Sequence, residues 1–102
     1  MSQFTLSAAL ERLGHADFAR VLEEPGFDVG LYKPDGVDTQ SPHARDELYV
    51  IASGQGAFEH AGKTAPVAVG DVLFVAAGEP HRFIDFSSDF SAWVIFIGPR
   101  PD

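Results

Sequence analysis

Apolar residues recur along this chain mostly at alternate positions, in short runs closed by glycine, proline or acidic turn residues. One segment departs from that pattern. "SAALERLG" (7–14) carries Leu10 and Leu13 on one helical face, with Ser7 placed as N-cap and Gly14 as the stop. A helix this short depends on docking for its stability. The remaining runs predict strands. "FARVL" (18–22) ends at a Glu-Glu-Pro-Gly turn, and the alternating "FDVGLY" (27–32) ends at Lys-Pro-Asp-Gly. "LYVIAS" (48–53) is apolar on both faces and pairs back through Gly54-Gln55-Gly56 onto "AFEH" (57–60). A turn at 61–63 leads to "VAVGDVLFV" (67–75), which has a Gly70-Asp71 corner in its middle. "HRFIDF" (81–86) and "SAWVIFIG" (91–98) are expected to form a last hairpin across Ser87 to Asp89, before a "PRPD" tail. Turn signals at roughly 8–12-residue intervals with little helix argue for an all-β, antiparallel sandwich or barrel. The expected organisation is one domain, 1–102, with a helix and lead strand in 1–22 and the barrel in 27–98.

Composition narrows the classes. With 45% apolar and 22% charged residues, the 102-residue chain is globular rather than disordered. The formal net charge of −8 would repel a phosphate backbone, and no basic stripe is present, so nucleic acid is not an expected partner. No apolar run approaches the roughly 18 residues that span a bilayer, so no membrane association is expected. The first residues show no basic segment ahead of an apolar one, which makes the cytoplasm the expected compartment. There is no cysteine, so any metal must be held by imidazole, carboxylate, hydroxyl or amide.

Two segments carry the chemistry. In the first, Gly36 precedes Pro42-His43, three residues separate His43 from Glu47, and six separate Glu47 from Gly54. In the second, five residues separate Gly70 from Ala76-Ala77-Gly78, two separate Gly78 from His81, and three separate His81 from Asp85. Together they resemble the two sequence motifs of the cupin superfamily. Its first motif ends His-x-His, three or four residues, Glu, six residues, Gly. Its second reads Gly, five residues, Pro-x-Gly, two residues, His, three residues, Asn. The chain departs from these patterns at Ser41, which stands where the first histidine would be, at Ala76 for the proline and at Asp85 for the asparagine. The resemblance implies a jelly-roll β-barrel. It also implies a divalent metal ion (zinc, iron, manganese or nickel) held inside by His43, Glu47 and His81. Two imidazoles and a carboxylate are the ligand set of the facial triad and also suit an open zinc site. The plainer reading makes His43 and Glu47 a surface ion pair and His81 a core histidine.

Side-chain alternation identifies the candidate neighbours of that cluster. Ser41 shares a face with His43, Tyr49 and Ile51 share one with Glu47, and Phe83 and Asp85 share one with His81. Tyr49 and Phe83 read as plain core filling, the alternative being that they wall a pocket. An inward Asp85 would need a partner and could bond a ligand histidine. Gln40 is expected to face solvent, the alternative being a bulge that turns its amide inward as a fourth ligand. Arg45, Lys63 and Arg82 fall at turns or outward positions, which argues against a phosphate site. His15 and His60 read as surface residues.

The functional expectation is a small metal-binding barrel open to a small organic ligand, of the oxygenase or isomerase type if it is an enzyme. The alternatives are a non-catalytic binding or sensor barrel and a metal-free structural one. "LYVI" and "AWVIFI" are apolar on both faces, and a barrel interior uses only one, so a homodimer is expected.

Overall fold

The computed structural model describes residues 2–100; the end of the expected tail, residues 101–102, lies outside the described part. The helix α1 (Leu6–Leu13) starts two residues earlier than an N-cap at Ser7 would have it. Its N-cap is Thr5, whose extended backbone lets the hydroxyl accept from Ala8 N–H at 3.1 Å. Gly14, at a φ of 58°, ends it and donates its N–H to the Leu10 carbonyl. The helix buries Ala9 and Leu13 and packs against the first two strands.

Eight strands follow: β1 (Phe18–Glu24), β2 (Phe27–Tyr32), β3 (Asp46–Ser53), β4 (Gly56–His60), β5 (Lys63–Val67), β6 (Val72–Val75), β7 (His81–Ile84) and β8 (Ser91–Ile97). They form two antiparallel sheets, β1-β2-β8-β3-β6 and β5-β4-β7. The all-β antiparallel class and the single short helix are as expected. Among the described residues no strand pairing joins the sheets into a closed barrel. Two expected hairpins are corrected: β3 does not pair back onto β4, since β3 lies between β8 and β6 and β4 between β5 and β7, and the last hairpin does not form either. β7 pairs with β4, whereas β8 has both edges occupied, by β2 and β3, so the 87–90 turn carries the chain from one sheet to the other. The Gly70 corner separates β5 from β6, which also lie in different sheets.

The core lies between the sheets. Tyr49, Ile51, Val75, Ala92 and Val94 of the larger sheet meet Phe58, Val67 and Phe83 of the smaller one. Strand register sorts the inner face of the larger sheet into rows. One runs Arg20, Gly30, Val94, Tyr49, Leu73, and the next runs Glu23, Asp28, Phe96, Glu47, Val75. A register shift between Arg20 and Leu22 allows both Arg20 and Glu23 to belong to that face. On the outer face, Ala19 and Leu31 are buried beside α1. The rest of that face is Leu48, Val50, Val72, Phe74, Trp93 and Ile95, half-buried or exposed. Trp93, whose direction the sequence leaves undecided, belongs to it. No helix among the described residues is long and apolar enough to cross a membrane.

Candidate metal and ligand site

Three elements supply the cluster. Glu47 is the second residue of β3 and points into the core, while His81 opens β7 from the opposite sheet. His43 comes from the segment between β2 and β3, pinned by Gly78 N–H donating to its carbonyl at 2.7 Å. His43 Nε2 is 3.5 Å from Glu47 Oε1, and His81 Nε2 is 3.6 Å from Glu47 Oε2. All three donor atoms lie within 4.8 Å of one another. Two donors about 2.1 Å from one ion, subtending a tetrahedral angle, stand roughly 3.4 Å apart. The observed separations fit that geometry and are too long for hydrogen bonds.

Two further observations suit an ion. Glu47 is 1% exposed, and its Oε2 has no hydrogen-bond partner among the described residues. A buried carboxylate oxygen left in that state is costly. His81 Nδ1 lies 2.9 Å from the Glu79 carbonyl, which can only accept, so Nδ1 carries the proton and Nε2 offers its lone pair to the cluster. Burial by itself lowers the affinity of His81 for a second proton. The Glu47 carboxylate, the Glu79 carbonyl and Asp38 outweigh it and hold the His81 pKa above the ordinary value.

A polar chain backs His81. Tyr49 Oη is 3.0 Å from His81 Nε2 and 2.9 Å from Gln40 Oε1. With its one proton it serves either, and donation to Gln40 leaves Nε2 free. Gln40 Nε2 donates to Asp38 at 2.6 Å. Asp38, buried, also accepts from the Tyr32 hydroxyl, Gln40 N–H and Phe83 N–H. Burial, then the charges of Glu47 and Asp38, push the Tyr49 phenol far above its usual pKa, so it stays protonated.

A cavity of about 370 Å³ opens beside the cluster. Phe18, Tyr32, Tyr49, Val94 and Phe96 wall it, and Gln40, His43, Arg20, Arg45 and Arg100 supply its polar lining. Phe18 has room because Gly30 lies beneath it: a Cβ on Gly30 would sit 2.4 Å from the ring. The arginines converge on Asp28, which is fully buried. Burial raises the Asp28 pKa, but the bond and charge of Arg45 and the charges of Arg100 and Arg20 more than reverse that and hold it below the usual range.

The structure thus brings His43, Glu47 and His81 together and places Tyr49 and Phe83 in the buried core beside them. Four expectations are corrected. Asp85 is exposed at a φ of 51°, because β7 ends at Ile84 and the chain turns there. It does not back a ligand histidine; Tyr49 and the Glu79 carbonyl contact His81 instead. Ser41 is exposed in the connecting segment, which is not a strand, so its alternation with His43 does not operate. Gln40 turns inward to Tyr49 and Asp38 rather than to solvent, and Arg45 is directed at Asp28, not outward. The reading of the sequence missed Asp38, Asp28 and the arginine group. Asp28 did carry a signal, since alternation in "FDVGLY" sets it on the face opposite Phe27, Val29 and Leu31. Asp38 carried none, lying outside any periodic run.

Residues 29–97 match the model of a family described as cupin domain. An uncharacterized protein of Streptomyces coelicolor is 39% identical over 85 residues, 81% of each chain. The oxalate-binding protein of Thermotoga maritima is 41% identical over 64 residues, which are 63% of this chain and 46% of that protein. A solved structure from Neisseria meningitidis superposes with a TM-score of 0.76 over 95% of this chain and 100% of that one; at 19% identity it shows the fold alone.

Proposed function

The chain belongs to the cupin family, and from that premise we propose that it holds one divalent metal ion through His43, Glu47 and His81, open toward the cavity for a small organic ligand. The observation that carries this is the convergence of three ligating side chains from three separate elements on a buried carboxylate oxygen that lacks a partner. Nitrogen and oxygen donors suit zinc, iron, manganese or nickel. When bound, such an ion supplies a Lewis-acid centre beside the ligand. The chain's own residues do the rest. The Glu79 carbonyl orients His81 through Nδ1–H, Tyr49 donates to Gln40 and leaves Nε2 free, Phe18 and Phe96 wall the cavity, and His43 lines it.

Chemistry of the oxygenase or isomerase type is one outcome at such a centre, and binding without turnover is the other. Tyr49, held protonated by burial and the nearby charges, is a hydrogen-bond donor in either case. The name of the Thermotoga protein places oxalate among the ligands to try. Elemental analysis of the purified wild-type chain should find one equivalent of a divalent metal, and His81→Ala should find almost none. A His81→Ala protein that keeps full metal would refute the site. The open outer face of the larger sheet, with Val72 and Phe74 more than half exposed, supports a homodimer joined through that face.

A further inference from the structure

We infer that the cavity takes an organic acid with an apolar body, its carboxylate received by Arg20 and Arg100 and its other end directed at the His43–Glu47–His81 cluster. The inference rests on the cavity being the ligand site proposed above, and it names the class of ligand.

Charge is the first argument. The chain has a net charge of −8 and only seven lysines and arginines, yet three arginines line this cavity. No aspartate or glutamate lines it among the described residues. A site with that contrast draws anions.

Hydrogen bonding separates the three arginines. Arg45 is committed: its Nη1 donates to Asp28 at 2.9 Å, and its Nε and Nη2 donate to the Gly98 carbonyl. Arg100 spends one nitrogen, Nη1, on Asp28 at 2.8 Å, with Glu23 3.1 Å from the same atom. Arg20 has Asp28 at 3.4 Å and Glu23 at 3.9 Å, and it makes no hydrogen bond among the described residues. Three guanidiniums thus face two carboxylates, leaving one positive charge. Arg20 and Arg100, nearly half exposed, still have donors to give. A guanidinium fork matches a carboxylate in shape as well as charge, and a surplus of one suits a singly charged head.

Register supplies the length. Asp28, Phe96 and Glu47 are neighbours in one row across β2, β8 and β3. Adjacent strands are about 4.8 Å apart, so the arginine end and the metal end are separated by roughly 10 Å. Phe96 lies between them in that row, and its ring contacts both groups, the Arg45 guanidinium 5.7 Å from its centre and the His43 ring 5.1 Å away. Oxalate is too short to touch both ends. An acid with an aryl or alkyl body between its carboxylate and its far end spans them against Phe18, Tyr32 and Phe96, and about 370 Å³ accommodates it.

The test is calorimetric titration of the full chain, metal-loaded and metal-free, with 3-phenylpropionate, its neutral amide 3-phenylpropionamide, acetate and oxalate. We expect 3-phenylpropionate to bind more tightly than its amide by roughly tenfold or more, to exceed acetate and oxalate, and to weaken in high salt. In the Arg20→Gln/Arg100→Gln double variant the acid should lose its preference over the amide. Arg45 still holds Asp28 there, so the fold should survive. If the double variant does not melt cooperatively, Arg20→Gln alone reads the same effect, since that guanidinium holds nothing by a hydrogen bond. The inference is overturned if acid and amide bind alike, if the variant keeps the preference, or if no acid binds at millimolar concentration. Metal content measured on the same samples separates the two readings. A chain that takes no metal yet prefers the acid removes the metal proposal alone, and a metal-loaded chain indifferent to the acid removes this one alone.

Discussion

Glu47→Gln is a sensitive probe of the cluster, because its effect on the metal-free protein should change sign with pH. Glu47 is 1% exposed, with His81 Nε2 at 3.6 Å and one oxygen lacking a hydrogen bond. The pKa of His81 is raised in the folded chain. A histidine in that state contributes stability below its unfolded pKa of about 6.5, and the contribution is lost as pH rises through the folded value. Below about pH 6, then, a charged His81 faces a charged Glu47. Breaking a close buried pair costs roughly 3–5 kcal/mol, but this pair is beyond hydrogen-bond distance, so a loss of about 1–3 kcal/mol is expected. Once pH has risen past the folded value of His81 its imidazole is neutral and the buried Glu47 side chain has lost its charged partner, a burden of about 1–3 kcal/mol that glutamine relieves. For a domain of this size each kcal/mol moves Tm by about 4–8 °C. Melts with chelator present should therefore show the variant several degrees below wild type in acid and several degrees above it in alkali. With metal at a hundred times its Kd, wild type should gain about 2.7 kcal/mol and the variant much less. A variant less stable than wild type by the same amount at every pH would refute the reasoning and make Glu47 an ordinary packing residue.

Metal affinity should fall with decreasing pH from a point above the ordinary histidine range, because a proton on His81 Nε2 competes for the lone pair; a titration flat between pH of about 6 and 8 would contradict this. Gly30→Ala should cost about 1–3 kcal/mol by thermal melting and shrink the cavity, since its Cβ meets the Phe18 ring at 2.4 Å and the Ala19 carbonyl at 2.9 Å. Chelation should lower Tm yet leave a cooperative transition, because the Tyr49–Phe58–Phe83–Phe90 packing does not depend on the ion; loss of sheet circular dichroism would show otherwise. Light scattering should give a dimer mass at micromolar concentration, and Phe74→Lys on the exposed face should give a monomer near 11.0 kDa; a wild-type monomer at every concentration would exclude the dimer.

Alternation made the strands legible, and with them the inward set Glu47, Tyr49, Ile51 and Phe83. Spacing made the three-residue cluster legible, because His43, Glu47 and His81 stand at fixed offsets from turn glycines. What failed was whatever depended on which sheet a strand joins. β7 and β8 read as a hairpin because they are adjacent in sequence, but a central strand with two partners has no edge left for a third. Asp85 failed for a local reason: the strand stops one residue before it, and a positive φ turns its side chain to water. Gln40, Ser41 and Asp38 lie in a connecting segment with no periodicity, where direction is set by tertiary hydrogen bonds. The arginine group was hidden because Arg20, Arg45 and Arg100 come from distant parts of the chain and are gathered by tertiary contacts, all three by Asp28.

His43 stands apart from the other two donors, with consequences for how fast the cluster exchanges its ion. Glu47 and His81 are fixed on strands and almost inaccessible, while the His43 side chain is 38% exposed on a connecting segment. Were an ion held here, Glu47 and His81 would already be in place, and the imidazole of His43 would be the donor with freedom to close on it or let go. Changes in the segment around His43 should alter residence time more than equilibrium occupancy, so two variants equally loaded at rest could differ widely in how quickly a chelator empties them.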